Sequence, residues 1–247
     1  MKPMNKHEYV GRDLEMMDFA ERYHRWILDE FRAFLGPHIA EVGAGTGTFS
    51  ELLLQEPGLR QLIALEPSAR MHHLLAQRLA RDARAITHCG FFEDVVGHNE
   101  GALDALIYVN VLEHIEDDRA ELAHAYRALR PGGYLCMFVP ALRWLYSRFD
   151  ASFGHHRRYH KDELLALLRN SGFQIAYARY FDMAGILLWL LVIRLLRRTL
   201  AGGQVRTYDR WVVPFIRRFE AAISPPLGKN VIAVARKPLD SRLTPNK

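Results

Sequence analysis

Cysteine is scarce in this chain, and no apolar run is long. The 247 residues include two cysteines, Cys89 and Cys136, and neither has a partner at metal-ligand spacing. Each stands in an apolar, strand-like segment, so we expect two buried thiols in a reducing compartment. The longest uncharged apolar run, from Met183 to Ile193, falls well short of the ~20 residues needed to cross a bilayer. Neither a disulfide framework nor a membrane-spanning helix is therefore expected.

The sequence also lacks a signal peptide, internal repeats and low-complexity tracts. Its first residues, MKPMNKHEYVGRDLEMMDF, are charged throughout, so the cytoplasm is the expected compartment. Hydrophobic residues make up 49% and charged residues 25%, a globular balance that excludes a disordered chain. The length of 247 residues predicts one domain with additional elements, or one and a half domains. The net charge of +5 permits an acidic partner, such as a phosphate-bearing molecule or an anionic membrane surface, but is common among soluble enzymes.

Short apolar runs alternate with helical patterns along most of the chain. An amphipathic pattern over residues 13–35 predicts a helical lead-in, followed by strand candidates interleaved with helices, which predict a parallel sheet covered on both faces. Two later strand candidates enclose an insertion, residues 181–229. The strand candidates are His38–Val42, Gln61–Leu65, Ala85–Cys89, Ala105–Asn110, Tyr134–Val139, Gln174–Tyr180 and Asn230–Ala235.

A glycine-rich loop follows the first strand candidate. The segment IAEVGAGTGTFS places Gly43, Gly45 and Gly47 between a strand and a helix, where the backbone must turn tightly against a ligand. Glu66 ends the next strand, where a carboxylate can accept hydrogen bonds from both ribose hydroxyls. The spacing is GxGxG, not the GxGxxG of nicotinamide and flavin binders, and no P-loop lysine follows. Glu41, two residues before the first glycine, suits a ligand with an ammonium group better than a pyrophosphate.

These motifs closely resemble the class I S-adenosylmethionine-dependent methyltransferases, over roughly residues 38–139. The resemblance implies an α/β fold, with a Rossmann-like, doubly wound, mostly parallel seven-stranded sheet. It implies S-adenosylmethionine as the cofactor and S-adenosylhomocysteine as the product. With the patterns above, it divides the chain into an N-terminal helical lid (1–36), a cofactor-binding core (37–180 and 230–237) and a helical insertion between the last two strands (181–229).

The resemblance also assigns cofactor contacts position by position. Glu41 is expected at the methionine amino group, the glycine loop at methionine and ribose, and Glu66 at the ribose hydroxyls. In HCGFFEDV, two aromatic rings stand where many relatives place an Asp for adenine, which favours stacking. The full set of implied cofactor-binding residues is Glu41, Gly43, Ala44, Gly45, Gly47, Glu66, Pro67, Met71, Phe91, Phe92, Asn110, Val111 and Leu112.

His114, in LEHIED after the fourth strand candidate, is the first candidate for a catalytic base. An imidazole can take a proton from a hydroxyl aligned for attack, although local packing at a helix start is the alternative. Ubiquinone-pathway O-methyltransferases look similar here and bind a divalent cation through acidic residues and a His. Because Asn110 stands where they have an acid, only Glu113 and His114 remain, and we expect no metal ion. The chain also lacks the Asn/Asp-Pro-Pro-Tyr/Phe motif of amino-methyltransferases.

A second candidate segment, residues 143–164, is basic and aromatic. Its phrase FGHHRRYHKDEL resembles a GHxRRY-type segment of one methyltransferase group, often associated with sugar, polysaccharide or natural-product pathways. Arg157 and Arg158 could clamp a carboxylate or phosphate, and His155 or His156 could act as the base. The alternative is a solvated basic loop whose Tyr159 packs against the sheet. From the lead-in helix, Tyr23 and Trp26 could close over the acceptor or pack in the core.

The insertion begins apolar and becomes rich in arginine, with seven arginines and one acid from residue 194 to 218. It could lie on an anionic membrane surface, form a homodimer interface or cover the acceptor pocket. We expect a cytoplasmic enzyme, free or peripheral on the inner face of the cytoplasmic membrane, that methylates an oxygen of a small-molecule or lipid- or sugar-linked acceptor. The alternatives are an RNA methyltransferase, although no nucleic-acid partner is expected, and an inactive cofactor-binding scaffold at the membrane.

Overall fold

The computed structural model describes residues 20–191 and 202–239. They contain a seven-stranded sheet in the order β3-β2-β1-β4-β5-β7-β6, in which β7 alone runs against its neighbours. The predicted mostly parallel, seven-stranded fold is confirmed. The strands are β1 His38–Val42, β2 Gln61–Leu65, β3 Ala85–His88, β4 Leu103–Val109, β5 Leu129–Pro140, β6 Gln174–Phe181 and β7 Asn230–Arg236.

Helices cover both faces of the sheet. They are α1 Glu21–Phe31, α2 Thr48–Leu54, α3 Ala69–Leu79, α4 Glu93–Val96, α5 Asp118–Ala128, α6 Arg148–Ser152, α7 Lys161–Asn170, α8 Met183–Trp189, α9 Gly202–Thr207 and α10 Val213–Ala222. A π-helical turn, Tyr208–Val212, joins α9 to α10. The helices α8, α9 and α10 lie between β6 and β7, so the insertion is helical where it is described. No helix of the described ranges is long and apolar enough to span a bilayer.

The core has two layers because the central strands are buried on both faces. Along β4, Ala105 and Ile107 face one layer, which also holds the apolar sides of α1, α2 and α3. The neighbouring Leu106 and Tyr108 face the other layer, with α5 and α7. Strands buried on both sides read as continuous apolar runs in sequence, which is why their positions could be predicted closely.

Two local expectations need correction. Cys89 is exposed, whereas Cys136 is buried in β5. The prediction of a buried Cys89 is wrong because β3 lies at the edge of the sheet and ends one residue earlier, at His88. The fifth strand is also longer than predicted, because its backbone pairing with β4 begins at Leu129.

Parts of the two outer predictions lie outside the described residues. Of the predicted lead-in helix, α1 accounts for residues 21–31, and residues 1–19 are not described. Of the insertion, residues 192–201 are not described, and they include Arg194, Arg197 and Arg198.

Candidate active site

The glycine loop joins β1 to α2 at the carboxyl edge of the sheet. All three glycines adopt left-handed backbone angles, with φ of +70° at Gly43, +57° at Gly45 and +88° at Gly47. A Cβ at Gly43 would lie 2.5 Å from Cγ2 of Val111, so the loop packs directly against the segment that follows β4. A Cβ at Gly45 would meet no atom within 4 Å. The loop therefore leaves an open cradle beside Gly45, as a ligand lying against bare backbone requires.

Glu66, at the end of β2, is fixed by two backbone amides. The amide of Gly45 donates to Oε2 and the amide of Ser68 donates to Oε1, both at 2.9 Å. Burial raises the pKa of the Glu66 carboxyl, and these two hydrogen bonds oppose that rise. Carboxylate oxygens have further lone pairs, so an oriented Glu66 can still accept from two hydroxyl groups. This geometry fits a ribose diol next to the glycine cradle.

Glu41 lies in β1, fully enclosed, and accepts a hydrogen bond from the hydroxyl of Ser50. Burial raises the pKa of the Glu41 carboxyl to about 8; the Ser50 hydrogen bond opposes this and the negative charge of Glu66 adds to it. A ligand ammonium placed beside Glu41 would favour its ionised form. The pair of Glu41 and Glu66 therefore fits S-adenosylmethionine, which carries both an ammonium group and a ribose.

The remaining predicted cofactor residues come to the same edge, with different exposures. The amide of Ala44 donates to the carbonyl of Leu65, at 2.8 Å, which ties the glycine loop to β2. Met71 is buried, whereas Pro67 is exposed. Phe91 is 45% exposed, but Phe92 is buried and packs edge-to-face against Tyr108. Of the two predicted adenine contacts, Phe91 thus has the accessible ring.

The segment after β4 has an unusual backbone. Asn110 has φ of +55°, and the residues after β5 and β6, Leu142 and Asp182, have φ of +63° and +62°. Such conformations cost of order 1–3 kcal/mol for ordinary residues and occur where the surrounding structure enforces them. Val111 is half-buried against Gly43, and Leu112 is fully buried. The residues with left-handed backbone angles after β4, β5 and β6 therefore lie at the same edge of the sheet as the candidate site.

The predicted histidines fall into two environments. The rings of His114 and His155 are 4.6 Å apart in an edge-to-face arrangement, beside the buried Glu113. Burial lowers the pKa of His114 to about 4, so its imidazole is neutral at pH 7. His156 is exposed, and its backbone amide donates to the carbonyl of Glu113 at 2.8 Å. The segment after β5 is therefore attached to the segment after β4.

A cavity of about 780 Å³ opens beside these histidines. It lies between the amino-terminal ends of α5 and α7 and the segment that follows β5. Four arginines line it, Arg119, Arg143, Arg157 and Arg158, together with His156, Tyr146 and two acids, Asp118 and Glu163. Asp118 pairs with Arg157, and Glu163 pairs with Arg143. Arg143 begins the predicted basic segment, residues 143–164, but was not singled out as a site residue. Arg119, near the start of α5, was not predicted, and no sequence pattern marked it.

The two arginines of the predicted clamp differ in exposure, and both have partners within the chain. Arg157 lines the cavity and donates to Asp118 and to the carbonyl of Glu116, each at 2.6 Å. Arg158 also borders the cavity but is 3% exposed; it donates to Asp150 and to the carbonyl of Ala141, and its guanidinium lies 4.4 Å from the ring centre of Trp189. Arg157 is therefore the more accessible of the two, and a substrate-binding role for either stays a prediction. Tyr159 is buried and its hydroxyl reaches Asp118 at 3.1 Å.

Tyr23 and Trp26 pack in the core, which was the alternative to a lid. The hydroxyl of Tyr23 lies 3.0 Å from Oδ2 of Asp182 and 3.3 Å from Oδ1 of Asn230. The ring of Trp26 lies 3.8 Å from the ring of Phe181. Helix α1 thereby connects the end of β6 to the start of β7, and neither aromatic side chain is open to an acceptor in this structure.

A doubly wound sheet with a glycine cradle after β1, a fixed carboxylate after β2 and room for an acceptor beyond β4 and β5 defines a class I S-adenosylmethionine-dependent methyltransferase. The chain belongs to the methyltransferase domain family, whose sequence profile matches residues 16–178. It is therefore an S-adenosylmethionine-dependent methyltransferase.

Named relatives differ in what they methylate. The chain is 27% identical over 183 residues to a ubiquinone biosynthesis O-methyltransferase of Xanthomonas axonopodis pv. citri, covering 66% of this chain and 72% of the relative. It is 31% identical over 119 residues to the tRNA 5-carboxymethoxyuridine methyltransferase of Escherichia coli K12, covering 44% of each. Its fold matches a chain from a complex between the Haloferax volcanii Trm112 methyltransferase activator and a methyltransferase, with a TM-score of 0.66 at 16% identity over 92% of this chain and 93% of that one.

Proposed function

We propose that this enzyme methylates an oxygen of an anionic small-molecule or lipid- or sugar-linked acceptor. The observation that carries the proposal is the 780 Å³ cavity, whose lining arginines outnumber its two acids, Asp118 and Glu163. The four arginines are Arg119, Arg143, Arg157 and Arg158. Its volume lies within the ~300–1,000 Å³ usual for small-molecule sites. Guanidinium groups present paired donors that match the oxygens of a carboxylate or phosphate. The O-methyltransferase relative supports oxygen as the methylated atom.

The chemistry requires alignment and the removal of one proton. Methyl transfer from a sulfonium is an in-line displacement, so the protein mainly has to hold the acceptor oxygen in position. A hydroxyl acceptor must also lose its proton, and His156 lines the cavity where such a group would lie. The arginines would orient the acceptor by its charge, and His156 would take the proton.

The acceptor proposal is tested by a labelling experiment on separate pools. The purified protein is incubated with S-adenosylmethionine deuterated at the methyl group and, in turn, with polar metabolites, lipids or tRNA. Mass spectrometry should find the label on an anionic metabolite or lipid. Arg119→Gln and Arg143→Gln should lower that incorporation, whereas Arg81→Gln, an exposed arginine on another part of the surface, should not. Label found on tRNA alone would overturn the proposal in favour of an RNA methyltransferase, and no label in any pool would favour an inactive scaffold.

We further propose that one face of the insertion contacts an anionic membrane surface. Phe215 and Phe219 stand one turn apart in α10, whereas Trp211 lies in the π-helical turn before it and Ile223 follows its last residue. The exposures of Trp211, Phe215, Phe219 and Ile223 are 60%, 74%, 48% and 55%. Four large exposed apolar side chains in one short segment favour a contact surface.

The charge of this segment supports an anionic surface. Between residues 203 and 223 the exposed charged side chains are all arginine: Arg206, Arg210, Arg217 and Arg218. The two acids of this segment, Asp209 and Glu220, are buried. Exposed apolar side chains flanked by arginines are typical of a segment that lies at a bilayer interface with anionic headgroups.

Vesicle flotation tests this contact. The wild type should float with vesicles of phosphatidylglycerol and phosphatidylcholine, and less with phosphatidylcholine alone. Phe215→Glu should reduce flotation, whereas Ile86→Glu, at a 48% exposed position on the edge strand β3, should not. Equal flotation of the two variants would overturn the proposal. So would a wild-type dimer in solution that Phe215→Glu converts to monomer while vesicle binding stays absent, since the face would then be a homodimer interface.

A further inference from the structure

Three metal-ligating side chains meet close to His156, which follows one of them in the chain and lines the arginine cavity. Glu113 and His114 follow β4, and His155 comes from the segment after β5. One donor atom from each lies within 4.8 Å of the other two. The sequence alone places Glu113 beside His114, but the approach of His155 depends on how two separate strand exits pack together.

Glu113 is the most informative member of this cluster. Its side chain is fully buried, and neither carboxylate oxygen has a hydrogen-bond partner among the residues that the structure describes. A buried polar group that lacks partners is costly, so native proteins almost always satisfy such groups with a donor, water or an ion. The two unpartnered oxygens lie next to two imidazoles, which indicates a ligand between them.

The histidines are held as metal-binding histidines usually are. Nδ1 of His155 lies 3.2 Å from Oδ1 of Asp150, and Arg158 holds that carboxylate at 2.8 Å. His114 hydrogen-bonds to the backbone at Phe153. When one ring nitrogen binds a carboxylate or a backbone carbonyl, the ring is oriented and its other nitrogen is available to a metal. The buried Asp150 and Arg158 would therefore act as positioning residues, because they hold the ring of His155 in its orientation.

We propose that Glu113, His114 and His155 bind a divalent transition-metal ion of the Zn²⁺ type. Two imidazoles and one carboxylate form a ligand set that binds zinc and leaves one coordination position open. Oxygen-preferring ions such as Mg²⁺ fit less well, because two of the three ligands are nitrogen. The proposal departs from the expectation of no metal because His155, not residue 110, completes the set.

The open position would receive an oxygen of the acceptor, and this part of the inference rests on the proposed function. Glu113 and His114 follow immediately after residues 110–112. His156, next to the ligand His155, lines the arginine cavity. Metal binding itself can be measured without acceptor or turnover, so its failure and the failure of the acceptor proposal are separate results.

Calorimetric titration of the full chain, stripped of metal with a chelator, tests the site. Zn²⁺ should bind at one equivalent, and Mg²⁺ much more weakly. Glu113→Gln and His155→Ala should each weaken Zn²⁺ binding at least as much as the ~10- to 100-fold loss typical of disrupted positioning groups. His156→Ala, the adjacent exposed histidine, should retain the wild-type affinity. Co²⁺ substituted into the wild type should show visible absorption bands that the His155→Ala protein lacks.

A folding control keeps the result interpretable. Each variant is also titrated with S-adenosylhomocysteine, whose binding should persist if the core is intact. His155 is partly exposed, so His155→Ala should fold even if Glu113→Gln does not. The proposal is overturned if the wild type binds no Zn²⁺, or if binding survives His155→Ala unchanged, because another histidine then holds the ion.

Discussion

Gly43, in the β1–α2 loop, can be compared with Gly58, which lies between α2 and β2. Both have left-handed φ, of +70° and +89°. A Cβ at Gly58 meets no atom within 4 Å, whereas one at Gly43 lies 2.5 Å from Val111. The two positions therefore separate the cost of the backbone angle from the cost of a clash.

We expect Gly58→Ala to lower the free energy of unfolding by about 1–2 kcal/mol, the cost of the left-handed angle for a residue with a Cβ. Gly43→Ala should cost more, because Val111 must also move, and it should weaken S-adenosylhomocysteine binding. Urea unfolding and calorimetry measure the two effects. Equal unfolding costs for the two variants would show that the contact with Val111 is unimportant.

Glu41 makes stability depend on pH. Because the pKa of Glu41 is about 8 in the folded protein and near the ordinary 4.5 when unfolded, the folded state binds the proton more tightly. Its contribution is therefore greatest below pH 4.5 and is lost as the pH rises toward 8, at no more than about 1.4 kcal/mol per pH unit.

Glu41→Gln should remove this dependence. Urea unfolding at pH 5.5 and 7.5 should show a smaller decline for the variant than for the wild type. A variant whose stability falls as steeply as that of the wild type would assign the effect to another group.

Residues of one local motif could be predicted from sequence, and residues joined by packing could not. Gly43, Gly45 and Glu66 lie in short segments whose spacing predicts a cofactor site, and the structure brings these segments together. Arg158 lies in the predicted basic segment, but its burial follows from contacts with Asp150 and Ala141 that no local pattern encodes. The proximity of His155 to Glu113 could not be predicted for the same reason.

At the scale of elements, the segment from β5 to α7 is organised by one buried ion pair. Asp150 is the third residue of α6, fully buried, and accepts from Arg158. Sequence patterns did not indicate α6, because five residues are too few to show a repeating helical pattern. Helix α10 was likewise expected only as part of an insertion. Short helices are fixed by such tertiary contacts more than by their own propensity.

We expect Arg158→Ala to destabilise the protein by about 3–5 kcal/mol, because it leaves Asp150 buried without its cation. The matched control is Arg143→Ala, which removes a pair with Glu163 whose side chains are 66% and 45% exposed. Such exposed pairs contribute about 0–1 kcal/mol. Chemical unfolding compares the two variants, and similar losses would mean that the Asp150–Arg158 pair does not hold this segment.

At the scale of the whole molecule, strand order and helical coverage could be predicted because alternating strands and helices admit few arrangements. The attachment of α1 could not be predicted, because Tyr23 contacts Asp182 and Asn230, which are 159 and 207 residues away in sequence. The hydroxyl of Tyr208 from the insertion also contacts Asp182. The buried carboxylate of Asp182, which follows β6, thus contacts α1, the insertion and the residue before β7. These contacts lie at the carboxyl edge of the sheet, where the candidate site also lies.

Because the cofactor site spans the ends of several strands, its ligand should stabilise the whole fold. S-adenosylhomocysteine at 100 times its Kd should add about 2.7 kcal/mol to the free energy of unfolding. For a domain of this size that corresponds to a rise in Tm of roughly 5–10 °C. At the same ligand concentration Glu66→Gln should show a smaller rise, because a neutral amide accepts more weakly from the ribose hydroxyls. Arg81→Gln, an exposed position after the end of α3, should match the wild type. If Glu66→Gln keeps the full rise, Glu66 does not hold the ribose and the assignment of this edge must be revised.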